Sequence, residues 1–467
     1  MAAPDQIAWG LSLDAMLQHG SFSYKQLIHY PHEGGSFLIS IIAIILKPFN
    51  AILPALSIAA LLVDACSRWI QIKIAEKLFG QSTAVIFAVW TVFAVPLLLP
   101  WGTVNFGLHS LASFLPFIFI YIAISQSGKA NEGTWCGIAA GLSITFAYDN
   151  LILIPAFLIW KFIDGGDLFS KSKVCARFLG FTFIALLPHI SLRMFAENGF
   201  QLEQLSAASI RGVVWNDVFS GLYINKLLAV INMHLPASFF LSTGHLVSGV
   251  MQRYIVIGVF VIAIVLLSIK KIKPRQSILL IMLLILIYTI AFAASPFYSE
   301  FQESKSYVYF RHFAFIIPLI SLIIIHAFVN TGKMRNMLIG SWLVVCSFFS
   351  ITYIVKSVPE KSANYEATGW VLARKYGDQP EMLKQLKDAA PAAQRNDLLI
   401  GFGWGLTATL LTDVTERNSQ PVNQLKNLYS QFPSTDQPYI RQGFDKAFSA
   451  GITPVLDKQL QDILINQ

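Results

Sequence analysis

The chain has 467 residues, of which 55% are hydrophobic and only 13% charged, and its mean hydropathy is +0.58. A soluble domain carries about 25% charge, so the composition excludes an ordinary soluble enzyme and predicts a polytopic membrane protein. The formal net charge is +8, but the basic residues lie in short clusters between apolar runs, as in cytoplasmic membrane loops, so no nucleic-acid partner is expected.

In chain order, the first element is a polar stretch, Asp5 to Ser36, within a predicted outer loop over residues 1–36. It carries Asp5, Asp14 and Glu33 together with His19, His29 and His32. No basic n-region or h-region opens the chain, so no signal peptide is expected. The run Phe37–Phe49 is too short to span a bilayer and is predicted to lie at its interface or dip into it.

A spanning helix needs roughly 17–25 apolar residues. About ten such segments are predicted, near 51–72, 83–100, 106–125, 133–148, 150–163, 175–194, 252–269, 277–295, 310–330 and 336–355. The fourth and fifth are short and joined by Ala147–Asn150, which suits either a tight hairpin or one long, broken helix. Residues 37–356 therefore form the predicted transmembrane domain. Gly137 and Gly141 make a GxxxG motif for close helix packing. Asp64 and Arg68, at i, i+4, pair on one helix face. Cys66, Cys136, Cys175 and Cys346 lie in or at the ends of apolar segments with no CxxC spacing, and read as small hydrophobes.

Basic residues orient these segments. Lys73 with Lys77, then Lys129, then Lys161 with Lys171 and Lys173, then Lys270–Arg275, then Lys333 with Arg335 all fall on one side. The positive-inside rule makes that side the cytoplasm. The N-terminal stretch, Trp101–Asn105, Asp149, the long 195–250 loop, the 296–309 loop and the chain's end then fall on the other side. Every histidine except His326 lies there too.

From about Ser357 the composition turns soluble, which predicts a small helical outer-side domain over 357–467. It contains a two-fold repeat beginning at Gln385 and Gln424, with matching Gly401-Phe402 and Gly443-Phe444 pairs, and is predicted to form two stacked helical hairpins. Gly401-Phe-Gly-Trp-Gly405 lacks the Lys and Ser/Thr of a phosphate-binding loop and is read as a helix-packing surface.

Two groups suit chemistry. A carboxylate at the membrane surface, among Asp5, Asp14 and Glu33, suits taking a proton from an acceptor hydroxyl or holding a divalent cation against a phosphate; the same residues equally suit an ordinary solvated loop. His29, His32 and Glu33 do not have the HExxH order of zinc proteases, so zinc is not predicted. Arg311 and His312, in Tyr309-Phe-Arg-His, open the ninth segment from outside. A guidanidium group there suits either a lipid phosphate, held bidentately, or an interfacial anchor. Asn105, His109 and Asp149 lie on the same predicted face.

The order of these residues resembles the GT-C superfamily of integral-membrane glycosyltransferases, which includes bacterial lipid A aminoarabinose transferases and protein O-mannosyltransferases. The motifs are the loop acid, Leu13–Gly20, Tyr30-Pro31, Lys47–Asn50, the LFG of Leu78–Gly80, Gly137–Ser143 with the break at Tyr148-Asp149, and Tyr309-Phe-Arg-His with Pro318. The likeness covers roughly residues 5–330 and leaves out the tail repeat. It implies transfer of a sugar from a polyprenyl-phosphate donor in the inner membrane to an unidentified periplasmic glycan, lipid or protein acceptor. Asp5 matches the family's catalytic acid, with Glu33 and Asp149 as alternates. Arg311 would meet the carrier phosphate, with His312, where the family often has Tyr, beside it in the substrate site, and His32 or His109 would orient groups there. A divalent cation is the only cofactor considered, and the metal stays open. The alternatives are a non-catalytic lipid- or partner-binding scaffold and, less favoured for want of mid-membrane charges and an inverted repeat, a transporter.

Overall fold

The computed structural model describes residues 52–93, 111–163, 167–194, 221–231, 246–269, 276–294, 315–356, 365–377, 379–411 and 420–449, with the single positions Gly10, Leu11, Leu13, Ile45, Leu235 and Phe313. The protein is all-α, and no strand occurs among the described residues. The helices are α1 (Ile52–Phe79), α2 (Gln81–Phe93), α3 (Leu111–Gln126), α4 (Glu132–Phe146), α5 (Leu153–Ile163), α6 (Leu168–Met194), α7 (Gly221–Ala229), α8 (Leu246–Ile269), α9 (Gln276–Ala293), α10 (Ile316–Val329) and α11 (Arg335–Lys356). The tail adds α12 (Tyr365–Tyr376), α13 (Pro380–Ala389), α14 (Arg395–Leu411), α15 (Gln420–Ser430) and α16 (Gln437–Ser449).

Local chemistry sets several boundaries. Gly80 has φ +85°, which a side chain would resist, and its N–H closes α1 on Glu76 O at 2.9 Å. The LFG of the sequence is thus a helix stop, and α2 starts at the next residue. Asp167 caps α6, its Oδ2 accepting the Ser170 N–H at 2.9 Å. Pro380 opens α13, where its missing N–H costs nothing.

Among the described residues only α6 contains a segment long and apolar enough to cross a bilayer, Leu168–Ser191, 24 residues with hydropathy 1.5. Six further apolar helices are described over 10–17 residues. The difference from ten predicted spans has two causes. Parts of the runs near 83–100, 106–125 and 310–330 lie outside the described residues. In addition, α1 carries Asp64, Arg68, Lys73, Glu76 and Lys77 from its middle to its C-terminal end.

Segments four and five form a hairpin, not a broken helix. Glu132 and Lys161 are 29 residues apart, about 43 Å along a continuous helix at 1.5 Å per residue. Their side chains meet at 2.6 Å. Ala147 is extended (φ −158°, ψ 129°) and a 3-10 turn, Tyr148–Ile152, reverses the chain. The hairpin lies against α6 through one glycine row. A Cβ on Gly133, Gly137 or Gly141 would fall within 3.0 Å of Val174 O, Phe178 O or Thr182 O respectively, so α4 and α6 pack backbone to backbone.

The 195–250 segment was expected to be loop, and part of it is α7. Tyr223 Oη donates to Ile290 O on α9 at 2.9 Å, and Val230, just after the helix, is fully buried. Nine amphipathic residues are too few to stand out from polar flanks in a sequence, and here packing on α9 supplies what propensity does not.

The chain divides into two compact units. The larger is 25–39 with 58–358; the smaller is 1–24, 40–57 and 359–467. In the smaller unit α14 is central. Gly401 and Gly405, one turn apart, share a face against α12, where a Cβ on Gly405 would lie 2.6 Å from Trp370 O and one on Gly401 would be 2.8 Å from Gly369 Cα. Gly403 faces the other way, toward α16, with Gly443 opposite it. The alternating glycines therefore serve two helix interfaces from one pentapeptide. Lys446 of α16 pairs with Glu366 of α12 at 2.6 Å, and Lys387 pairs with Asp436 at 2.7 Å. The sequence repeat understates the array, because Gly369-Trp370 on α12 is a third Gly-aromatic pair in the same packing role.

Candidate functional site

The α4–α5 hairpin has a polar residue set at each end. At the turn lie Asp149 and Asn150, and Asn150 is buried with its Nδ2 donating to Ser143 O at 2.8 Å. That bond fixes the backbone on which Asp149 sits. At the other end is the pair Lys161–Glu132, with side chains 5% and 3% exposed. Glu132 Oε2 also accepts the N–H of Gly128 at 3.0 Å, and Lys161 Nζ lies 4.0 Å from the Trp160 ring centre. Nearby, Arg177 of α6 donates to Ala130 O at 2.8 Å. The Lys161–Glu132 pair joins α5 to the first residue of α4. This pair fastens the open end of the hairpin; sequence reasoning had missed Glu132.

Of the predicted site residues, Asp149 alone lies on a described element, the 3-10 turn. Asp5, Asp14, Glu33, His32, His109, Arg311 and His312 lie outside the described residues. The Asp64–Arg68 pair is present at 2.6 Å, and Arg68 also donates to Thr91 O, so it joins α1 to α2. His326 stacks on Phe79 with ring centres 3.9 Å apart. Among the described residues no group of three His, Cys, Asp or Glu side chains is placed to hold a metal ion.

The bundle also contains an apolar cavity of about 540 Å³, lined among others by Ile231, Val256, Phe260, Met282, Thr289 and Ile320. Thr289, the one hydroxyl-bearing wall residue among the described residues, donates to Ile285 O at 2.7 Å and so spends its proton within its own helix. Met282 and Leu286 on the rim are exposed. Such walls suit hydrocarbon and offer nothing to a sugar or nucleotide. Ile320 belongs to α10, the helix that follows Arg311 and His312 in the chain. The cavity gave no sequence signal, since its described walls are ordinary, mostly apolar residues of four segments: Ile231 with Leu235, α8, α9 and α10.

No protein-family model and no curated protein matches this chain.

Proposed function

We propose that the protein is a multi-pass inner-membrane glycosyltransferase that takes a sugar from a polyprenyl-phosphate carrier and passes it to a periplasmic acceptor. The observation that supports it best is where large apolar side chains are exposed. They run from Ile45 to Phe348 and include Val85, Phe183, Leu286 and Val344, whereas no large hydrophobic is exposed among the described tail residues 365–449. Water would not leave so much apolar surface uncovered on one part of a chain whose other part buries its own. Lipid contact would account for the contrast, and in this reading Lys129, Lys161 and Lys171 belong to the basic clusters that face the cytoplasm.

The transferase step rests on the order of motifs shared with the GT-C superfamily and on the apolar cavity, which has the chemistry of a carrier's hydrocarbon chain. In this reading a loop carboxylate, Asp5 with Glu33 and Asp149 as alternates, takes the proton of the acceptor hydroxyl. The hydroxyl oxygen attacks the anomeric carbon, the bond to the phosphate oxygen breaks, and the electron pair leaves on the polyprenyl phosphate. Arg311 meets the charge that grows on that phosphate, with His312, His32 and His109 as orienting groups. A divalent cation held by the same carboxylates would sit against the carrier phosphate.

The test is labelling by a photoactivatable polyprenyl phosphate in native-lipid vesicles. The wild type is expected to carry the label on the α8 and α9 walls around Val256 and Thr289. Val256→Trp, which fills the cavity, is expected to cut labelling about tenfold. Label elsewhere, or equal label on the filled variant, contradicts the reading.

A further inference from the structure

The N-terminal stretch is polar and acidic, yet two of its leucines are buried. Leu11 is 2% exposed and Leu13 fully buried, and the backbone is helical at Gly10, Leu11 and Leu13. Leu11 belongs to the tail's own core, with Tyr365, Leu372, Leu398, Phe402 and Phe444. The division of the chain agrees, since residues 1–24 and 359–467 fall in one compact unit. Leu11 and Tyr365, 354 residues apart in the sequence, thus share one hydrophobic core.

We propose that the tail is a clamp for the acid-bearing N-terminal stretch, with Leu11 as its anchoring, positioning residue. Chain geometry turns the anchor into a constraint on chemistry. Asp14 is the next residue in the sequence after the buried Leu13. Asp5 is six residues before Leu11, and an extended chain of that length reaches at most about 22 Å. A flexible loop would have to find its working position anew in each turnover, and a misplaced catalytic group costs about a hundredfold in rate. The same anchor explains why a membrane protein carries a soluble array whose repeat has no part in the family likeness. The catalytic consequence rests on the transferase reading; the clamp does not.

The experiment uses the full chain with a protease site inserted after Lys25 and an affinity tag at the C-terminus. After cleavage in mild detergent, peptide 1–25 is expected to stay bound in the wild type and in Leu11→Met, and to wash away in Leu11→Asp. Protease resistance of residues 365–449 shows that the tail is still folded. If Leu11→Asp loses that resistance, Leu11→Ala replaces it, with peptide release expected at least tenfold faster than in the wild type. Loss of the wild-type peptide, or its retention by Leu11→Asp on a folded tail, overturns the clamp. In the uncleaved chain, Leu11→Asp is expected to lower kcat about a hundredfold with the carrier KM within about twofold, and Leu11→Met to restore it. Unchanged kcat overturns the positioning role. Peptide retention as expected, with no transfer by any form, keeps the clamp and removes the transferase.

Discussion

Lys161 and Glu132 show what a side chain costs when its partner goes. Both are almost wholly buried, and removing one partner of such a pair costs about 3–5 kcal/mol because the other charge stays in place. Lys161→Met is therefore expected to lower the midpoint of denaturation in detergent markedly. Adding Glu132→Gln should recover most of the loss, and a double variant no better than the single would show that the pair is not a unit. The glycine row makes a separate case. A Cβ on Gly137 would meet Phe181 Cβ at 2.9 Å as well as the Phe178 carbonyl, so Gly137→Ala should cost about 1–3 kcal/mol by overpacking. Gly180, with open space around its Cβ position, is the control whose alanine variant should stay within about 1 kcal/mol. Of these residues the sequence revealed Gly137 and Gly141 by spacing. Gly133 had the same spacing and went unread. Glu132 had no local signal, since its partner is 29 residues away and only the hairpin brings them together.

Among the elements, α6 carries the clearest pH dependence. The backbone N–H groups of Ser170 and Phe169 hold the Asp167 carboxyl below its ordinary 3.8. A depressed folded value stabilises the ionised form, so the cap's contribution is complete above about pH 4 and is lost as pH falls through the lower, folded value. Amide exchange at Ser170 and Lys171 should therefore stay slow down to about pH 4 and quicken below it. In Asp167→Ala it should be fast at neutral pH too; slow exchange in that variant would show that the carboxylate does not cap the helix. The apolar runs were legible as helices because composition alone sets them apart. The α4–α5 turn was legible only as a break, since Ala147–Asn150 suits a kink as well as a reversal. α7 was not legible, because its packing on α9 outweighs a weak local signal.

At the scale of the whole molecule, orientation is the first consequence to check. In a Cys66→Ser background, an impermeant maleimide should label Ala393→Cys in intact spheroplasts and Lys129→Cys only after permeabilisation. Both positions are exposed, and the remaining native cysteines are buried. The reverse pattern would invert the topology and place the tail away from the periplasm. Charge patterning supplies the expected sidedness that this labelling checks, while the place of Leu11 in the tail's core was not readable at all, because Leu11 looks like any leucine in a polar loop. The proposed site was legible only as an order of motifs, for most of its residues lie outside the described elements, and Asp149 alone is tied to a described turn. The central claim is therefore tested most directly by transfer itself, measured in native membranes with a panel of radiolabelled polyprenyl-phosphate sugars, for the wild type, Asp5→Asn and Arg311→Ala. The account predicts transfer by the wild type and a loss of at least a hundredfold in both variants. Properly inserted wild type that transfers none of the sugars, or full transfer by both variants, would contradict it.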